Sequence, residues 1–281
     1  MKLEQAEKAA QELWELDVAT WNTHWVPIFR KFSQELIRKA QLRPGQLILD
    51  IGTGTGIAAF EAAKRIEHRF VIGIDRSPNM IHAARANNKK NKLRNAFFID
   101  MNGDDMLFPD RLFARALSNC GISLGTFPQT SKEIFRVLQE DGLLIINDWH
   151  LIDVSPHRTF SEILRRYRTD NPSQRLGRWR EALATLESLG NQNSYSKSAV
   201  LQRTGFKRIT ESTENFQIVL PSTYAYLKMR FQRVALRQEL IELPPSRRRR
   251  LLLELRKSLE NHMQNGRFTF NWNVRFISAA K

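Results

Sequence analysis

The stretch LILDIGTGTGIAAFEAA, Leu47 to Ala63, constrains the fold of this chain more than any other. A continuous apolar run ends in Asp50, passes through Gly52, Gly54 and Gly56, and enters an alanine-rich helical pattern. An apolar run without polar alternation reads as a strand buried on both faces, as in a parallel sheet. Alternate glycines permit positive φ and let a ligand approach main-chain atoms. The helix that follows points its N-terminal amides and positive dipole end at the same spot. Strand-like and helix-like runs then alternate: FVIGID before SPNMIHAARANNKK, NAFFID before a loop, RALSN before TSKEIFRVLQEDG, and then LLIIND. Strands spaced by crossover helices predict a doubly wound, mostly parallel α/β sheet.

The surroundings of that core divide by rhythm. Residues 1–43 read as a helical cover, with Ile28, Phe29, Phe32, Leu36 and Ile37 on one face. Residues 44–150 form the ligand-binding core. After Asp148 the pattern changes: TFSEILRRYR and RWREALATLESLG, joined by TDNPSQRLG, predict a helical lid over 151–195. Residues 196–281 complete the sheet, with SAVLQRTGF as a covering helix and KRITESTENFQIVL and RFTFNWNVRFISAAK as strands. A basic helical insertion is expected between those strands, over 222–264.

Charge is unevenly spread. Of the net +15, residues 1–150 contribute 20 Lys and Arg against 18 Asp and Glu, and residues 151–281 contribute 24 against 11. Such asymmetry reports on partners more than on fold. RNA, an acidic carrier or an anionic membrane surface would fit it, and so would a plain solvated surface. The run Arg247–Arg250 concentrates the charge. Arginines in a helix's first turn oppose the macrodipole, so a reason beyond helix stability is expected. Ser246 is the expected cap, and Glu254 the expected helical partner of Arg250. The single cysteine, Cys120, excludes an internal disulfide framework and an all-cysteine metal site. The chain has no run of about 18 apolar residues and an N-terminal stretch without an apolar signal core. A soluble cytoplasmic protein is expected.

The ligand of the glycine turn is narrowed by its spacing. A dinucleotide fingerprint needs G-x-G-x-x-G, and Ile57 occupies its third glycine position. Asp50 would repel a pyrophosphate and attract a cation. The pattern hydrophobic-D-x-G-x-G-x-G resembles motif I of the class I S-adenosylmethionine-dependent methyltransferases, whose cofactor carries a sulfonium and an ammonium but no phosphate. The resemblance continues through VIGIDRSPNMIHAAR, where Asp75 ends the second strand at the family's ribose-binding position. Asp75, Ser77 and Met80 repeat the family's D-x-S-x-x-M. In NAFFIDMNGDDMLFPDRLFA the pattern departs: Asn102 stands where the family's aspartate meets the adenine amino group, followed by Gly103, with Asp100 as the competing assignment. EIFRVLQEDGLLIIND and LQRTGFKRI are similar to later family segments. The resemblance implies a Rossmann-like fold and S-adenosylmethionine as cofactor. The residues it implies at the cofactor are Asp50, Gly52, Thr53, Gly54, Gly56, Asp75, Arg76, Met80, Asn102, Gly103 and Asn119, without a metal.

Displacement of a methyl group from a sulfonium depends chiefly on proximity and alignment. A base helps only where the nucleophile has a proton to lose. His150, just past the fifth strand, and His24, in WNTHW, are the candidate bases. The fourth strand ends in SNCG and not in the N/D-P-P-Y/F of many amino-methylating nucleic-acid enzymes. Asn119 and Cys120 are expected to touch cofactor or substrate. Trp14, Trp21, Trp25, Phe160, Tyr167 and Trp179 are expected to wall a pocket for a small hydrophobic or aromatic acceptor, methylated on oxygen or carbon. The resemblance is to the small-molecule branch that includes the quinone C-methyltransferases. Two alternatives remain at this level: an RNA methyltransferase using the basic half, and a non-catalytic S-adenosylmethionine-binding partner protein.

Overall fold

The computed structural model describes residues 1–149, 155–190 and 196–281. Two helices, α1 (Leu3–His24) and α2 (Val26–Ala40), precede the alternating core of β1 (Ile48–Ile51), α3 (Ile57–Ala63), β2 (Val71–Asp75), α4 (Pro78–Asn91), β3 (Ala96–Asp100), β4 (Phe113–Asn119), α5 (Phe127–Val137) and β5 (Leu138–Trp149). Beyond it come α6 (Ser155–Tyr167), α7 (Gln174–Gly190), α8 (Lys197–Thr204) and β6 (Lys207–Leu220). Helices α9 (Thr223–Phe231), α10 (Val234–Ile241) and α11 (Pro245–Ser258) lead to the short β7 (Met263–Gln264) and the long β8 (Arg267–Ala280). Among the described residues, no helix is long and apolar enough to cross a membrane.

The sheet order is β3-β2-β1-β4-β5-β8-β6, with β7 paired to β8. The first five strands are parallel, and β8 runs antiparallel between β5 and β6. This is the expected doubly wound, mostly parallel sheet. Successive side chains of the central strands enter opposite cores: Ile48, Leu117 and Ile145 face one hydrophobic cluster, and Leu49, Ala116 and Leu144 the other. Helices on both faces therefore explain why LILDIG lacks alternation.

Strand β8 outruns its partner. Its pairing with β5 ends at Trp149 opposite Val274, whereas its pairing with β6 continues to Leu220 opposite Phe268. A two-stranded ribbon thus projects about 20 Å beyond the end of β5. Phe268, Phe270, Trp272, Val274 and Phe276 alternate onto its buried face. Against it pack Phe29 and Phe32 from α2, His157 from α6 and Tyr226 from α9. Helix α1 joins the cover to the later helices, through Ala6, Ala9 and Leu13 against Leu176, Trp179 and Ala182 of α7 and Val234 of α10.

Two local expectations are corrected. The helix read into TSKEIFRVLQEDG begins earlier, at Phe127, and stops at Val137. Buried Leu138 instead pairs with Phe113, and the register jumps to Arg115 opposite Leu143, so residues 139–142 form a bulge. The turn-rich QRLG is already the first turn of α7.

The arginine run also finds a local explanation. Ser246 lies inside α11, whose N-cap is Pro244 without a side-chain bond. Glu254 pairs with Arg166 at 2.6 Å and accepts from the Tyr167 hydroxyl at 2.7 Å, not from Arg250. Arg247 donates to the Arg168 carbonyl (3.0 Å) at the end of α6, and Arg248 to the Ile241 carbonyl (2.8 Å) at the end of α10. These guanidinium groups satisfy the carbonyls that a helix C-terminus leaves open. Replacing Arg247 and Arg248 with glutamine is expected to lower stability by about 1–2 kcal/mol in thermal melts. The same change at the exposed Arg249 and Arg250 is expected to alter it little.

Candidate functional site

The chain order reverses between β1 and β4, the place where an open α/β sheet offers a crevice beyond its strand ends. There the two strand-end loops touch through glycines. A Cβ on Gly52 would lie 2.4 Å from the carbonyl oxygen of Gly121, and one on Gly121 would lie 2.4 Å from that of Gly52. Gly54, at φ +55°, differs: a Cβ there would meet nothing within 4 Å. One glycine is required for packing, and the other leaves open space above the turn.

Asp50 closes the floor. It is fully buried, and its Oδ2 accepts from the Thr53 hydroxyl at 2.6 Å and the Ala59 amide at 3.0 Å. Its Oδ1 has no hydrogen-bond partner among the described residues. Burial pushes the Asp50 carboxyl up to about 7 against the lowering effect of those two donors, and nearby Asp75 adds to the rise. Asp75 accepts from the Gly54 amide (2.9 Å) and the Ser77 amide (2.9 Å), and desolvation raises it too. Two acids against one glycine turn attract a cation and disfavour a phosphate.

The other expected residues spread around this centre. Thr53 is held by Asp50, and Gly56 at φ +95° caps α3. Met80 is buried in the first turn of α4, its amide capped by Ser77 Oγ at 3.1 Å. Arg76 pairs with Glu7 of α1 at 3.1 Å, and its carbonyl accepts from Gln11 at 3.2 Å. Ser123, in the loop after β4, donates to the same Glu7 at 2.5 Å. Helix α1 is thereby hooked across the ends of β2 and β4. Asn102 is exposed, its Oδ1 accepting from the Asp104 amide at 3.2 Å, while Gly103 lies against Ile51 and Thr130. Asp100, the competing residue, stands in register beside Asp75.

The side chain of Asn119 is taken up within the fold. Its side-chain nitrogen donates to Ser33 Oγ of α2 at 2.8 Å, and its oxygen accepts from Asn147 at 2.8 Å. Its amide therefore ties α2 to β4 and β5. The Cys120 amide donates to Asn147 in turn, at 2.8 Å. His24 is partly buried at the end of α1, and burial and then Lys228 of α9 lower its pKa. His150 lies outside the described residues.

Of the six aromatic residues, Trp21, Trp25 and Phe160 join the main cluster with the β8 wall, and Trp14 and Tyr167 pack against it. Trp179 instead packs against α1 in a separate cluster, beneath the Arg175 guanidinium. Sequence reasoning missed Glu7 and Gly121. Gly121 alone carried a signal, as a glycine just past a strand.

A model described as "Methyltransferase domain" matches residues 42–199, and the chain belongs to that family. Its relatives include a demethylmenaquinone methyltransferase of Symbiobacterium thermophilum, 29% identical over 120 residues that cover 42% of this chain and 48% of that protein. The nocamycin O-methyltransferase of Saccharothrix syringae is 24% identical over 268 residues, covering 90% and 91%. The chain spans less than half the length of the first curated relatives it matches. Among solved structures, the YcgJ protein of Bacillus subtilis aligns with a TM-score of 0.51 and 17% identity, covering 89% of this chain and 98% of that one.

Proposed function

We propose that the protein transfers a methyl group from S-adenosylmethionine to oxygen or carbon of a small hydrophobic or aromatic acceptor. The observation that carries this reading is a pair of acids, fully buried Asp50 with an unpartnered oxygen and partly exposed Asp75 at a strand end, around the open space at Gly54. That set fits a cationic nucleoside without phosphate. Asp75 would accept from ribose hydroxyls, Asp50 would balance positive charge, and the Asn102–Gly103 turn would meet the base, with Asp100 as its alternative. When bound, the cofactor supplies an electrophilic methyl group. The residues' part is to hold the acceptor in line and keep water out. Helix α1, hooked through Glu7, and the helices after β5 act as the cover in this proposal. His150 and His24 are proposed as bases for an acceptor that has a proton to lose.

The relatives support this reading: one curated name is a quinone-type methyltransferase, and the relative aligned end to end is an O-methyltransferase. Use of Arg247 and Arg248 as internal caps weakens the RNA alternative. A cytoplasmic site of action, suggested by the lone cysteine, belongs to the same proposal.

Calorimetry is expected to show S-adenosylmethionine binding and no NAD binding. Asp75→Ala should weaken that binding by about 1–3 kcal/mol through lost hydrogen bonds. Labelled methyl from the cofactor should then enter a small-molecule extract. Preference for NAD, or unaltered affinity in Asp75→Ala, overturns the cofactor assignment. Cofactor binding without transfer to any acceptor points to the non-catalytic alternative.

A further inference from the structure

The helices after β5 and β6 bury a cation that has no counter-ion among the described residues. Arg230 of α9 is only 9% exposed, yet no carboxylate pairs with it and its Nε has no hydrogen-bond partner among the described residues. It lies 4.7 Å from the centre of the Phe160 ring. Its neighbour Arg233 differs: it is paired with Asp17, and that carboxylate also accepts from the Val234 amide at 2.7 Å. A ring face compensates a buried guanidinium far less than a carboxylate does.

Beside Arg230 sits a second incomplete group. His157 of α6 is 3% exposed, with Nδ1 at 2.7 Å from the Tyr226 hydroxyl and Nε2 without a partner among the described residues. The imidazole is stacked on Tyr226 and edged by Trp272, with ring centres 5.6 and 4.9 Å away. Burial, followed by the charges of Arg230 and His262, holds His157 well below its usual pKa, so it is neutral at pH 7. Tyr226 is fully buried, and desolvation keeps its hydroxyl protonated. With Tyr226 donating to Nδ1, His157 presents an Nε2–H donor. Among the described residues the cluster then holds a cation and a spare N–H, and no anion to receive them.

Resting on the methyltransferase reading, we propose that Arg230 and His157, the latter oriented by Tyr226, recognise an acidic oxygen of the methyl acceptor, a carboxylate or an ionised phenol or enol, against the aromatic wall of β8. The wall gives flat apolar contact and the two donors give a fixed polar end. That combination selects an aromatic acid over a neutral aromatic of the same shape. The acceptor class thereby narrows from hydrophobic to hydrophobic and acidic.

The test uses the full chain with three probes: 2-naphthoate, 2-naphthol and methyl 2-naphthoate. Their binding is measured by calorimetry in the presence of S-adenosylhomocysteine. Wild type is expected to favour 2-naphthoate over its methyl ester. Arg230→Met should weaken 2-naphthoate roughly 10- to 100-fold and leave the ester unchanged, and Arg230→Lys should restore part of the loss. Binding of 2-naphthol above the ester at pH 10, lost in the same variant, would extend the site to phenolates. Removal of an uncompensated buried charge should keep or raise the melting temperature, whereas a merely structural arginine would lower it. Equal affinity for acid and ester, or no binding of either, overturns the proposal. So does an Arg230→Met variant that melts lower with its acid preference intact. S-adenosylhomocysteine affinity, read from the same samples, tests the cofactor assignment separately, because none of these residues lies at the glycine turn.

Discussion

Gly54→Val is expected to abolish detectable S-adenosylmethionine binding, a loss of more than about 100-fold, while the chain stays folded. The reason is local. A Cβ at Gly54 would meet no protein atom within 4 Å, so the substitution creates no internal clash. The added isopropyl group would instead fill the open space above the turn. Valine at φ +55° is itself strained, at about 1–2 kcal/mol, which lowers the melting temperature by several degrees only. Gly52→Ala serves as the contrasting variant. Its Cβ would lie 2.4 Å from a backbone oxygen of Gly121, and backbone cannot rotate away as a side chain does. It should destabilise the joint between β1 and β4 and lower the melting temperature more than Gly54→Val does. Wild-type cofactor affinity in Gly54→Val, measured by calorimetry, would remove the turn from the binding site.

The parts of this molecule legible in sequence are those governed by short periodicities. LILDIG lacks alternation because Ile48 and Leu49 face different cores, both dry. RFTFNWNVRFISAAK is legible as a strand because Phe268, Phe270, Trp272, Val274 and Phe276 alternate onto one buried face, and KRITESTENFQIVL because its β-branched residues pair along it. The glycine turn and Asp75 were readable because they lie within a few residues of a strand end. What escaped depends on distant pairing. Helix propensity continues through LQEDG, but Leu138 is claimed by Phe113 across the sheet. The place of Asn119 at a strand end says nothing of Ser33 and Asn147, 86 and 28 residues away, which take its side-chain amide. The arginine run was read against its own helix, whereas its acceptors are the carbonyl ends of two other helices. Arg230 and His157 carry no motif; what draws attention to them is that no carboxylate reaches them among the described residues.

S-adenosylmethionine affinity is expected to weaken about tenfold for each pH unit below roughly 7, through the titration of Asp50. Burial raises this carboxyl from 3.8 to about 7, so below that pH the empty site holds a neutral acid. A bound cation favours the carboxylate and lowers the pKa again, so binding releases a proton. The affinity due to Asp50 is therefore fully present above about 7 and is lost as pH falls. An α-amino group on the ligand loses its own charge above about 8, which places the maximum between these limits. Stability runs the opposite way. The folded pKa lies above the unfolded value, so the Asp50 contribution to the empty fold is fully present below about 4, declines between there and about 7, and is flat above. The melting shift produced by the cofactor should accordingly be larger at pH 7.5 than at pH 6. In Asp50→Asn the acid limb of the affinity profile should flatten, with binding weaker than wild type at pH 7.5. The empty variant should also lose the decline in stability that Asp50 contributes between about pH 4 and 7. An affinity profile that keeps its acid limb in Asp50→Asn would assign that limb to another group and leave Asp50 a purely structural acid.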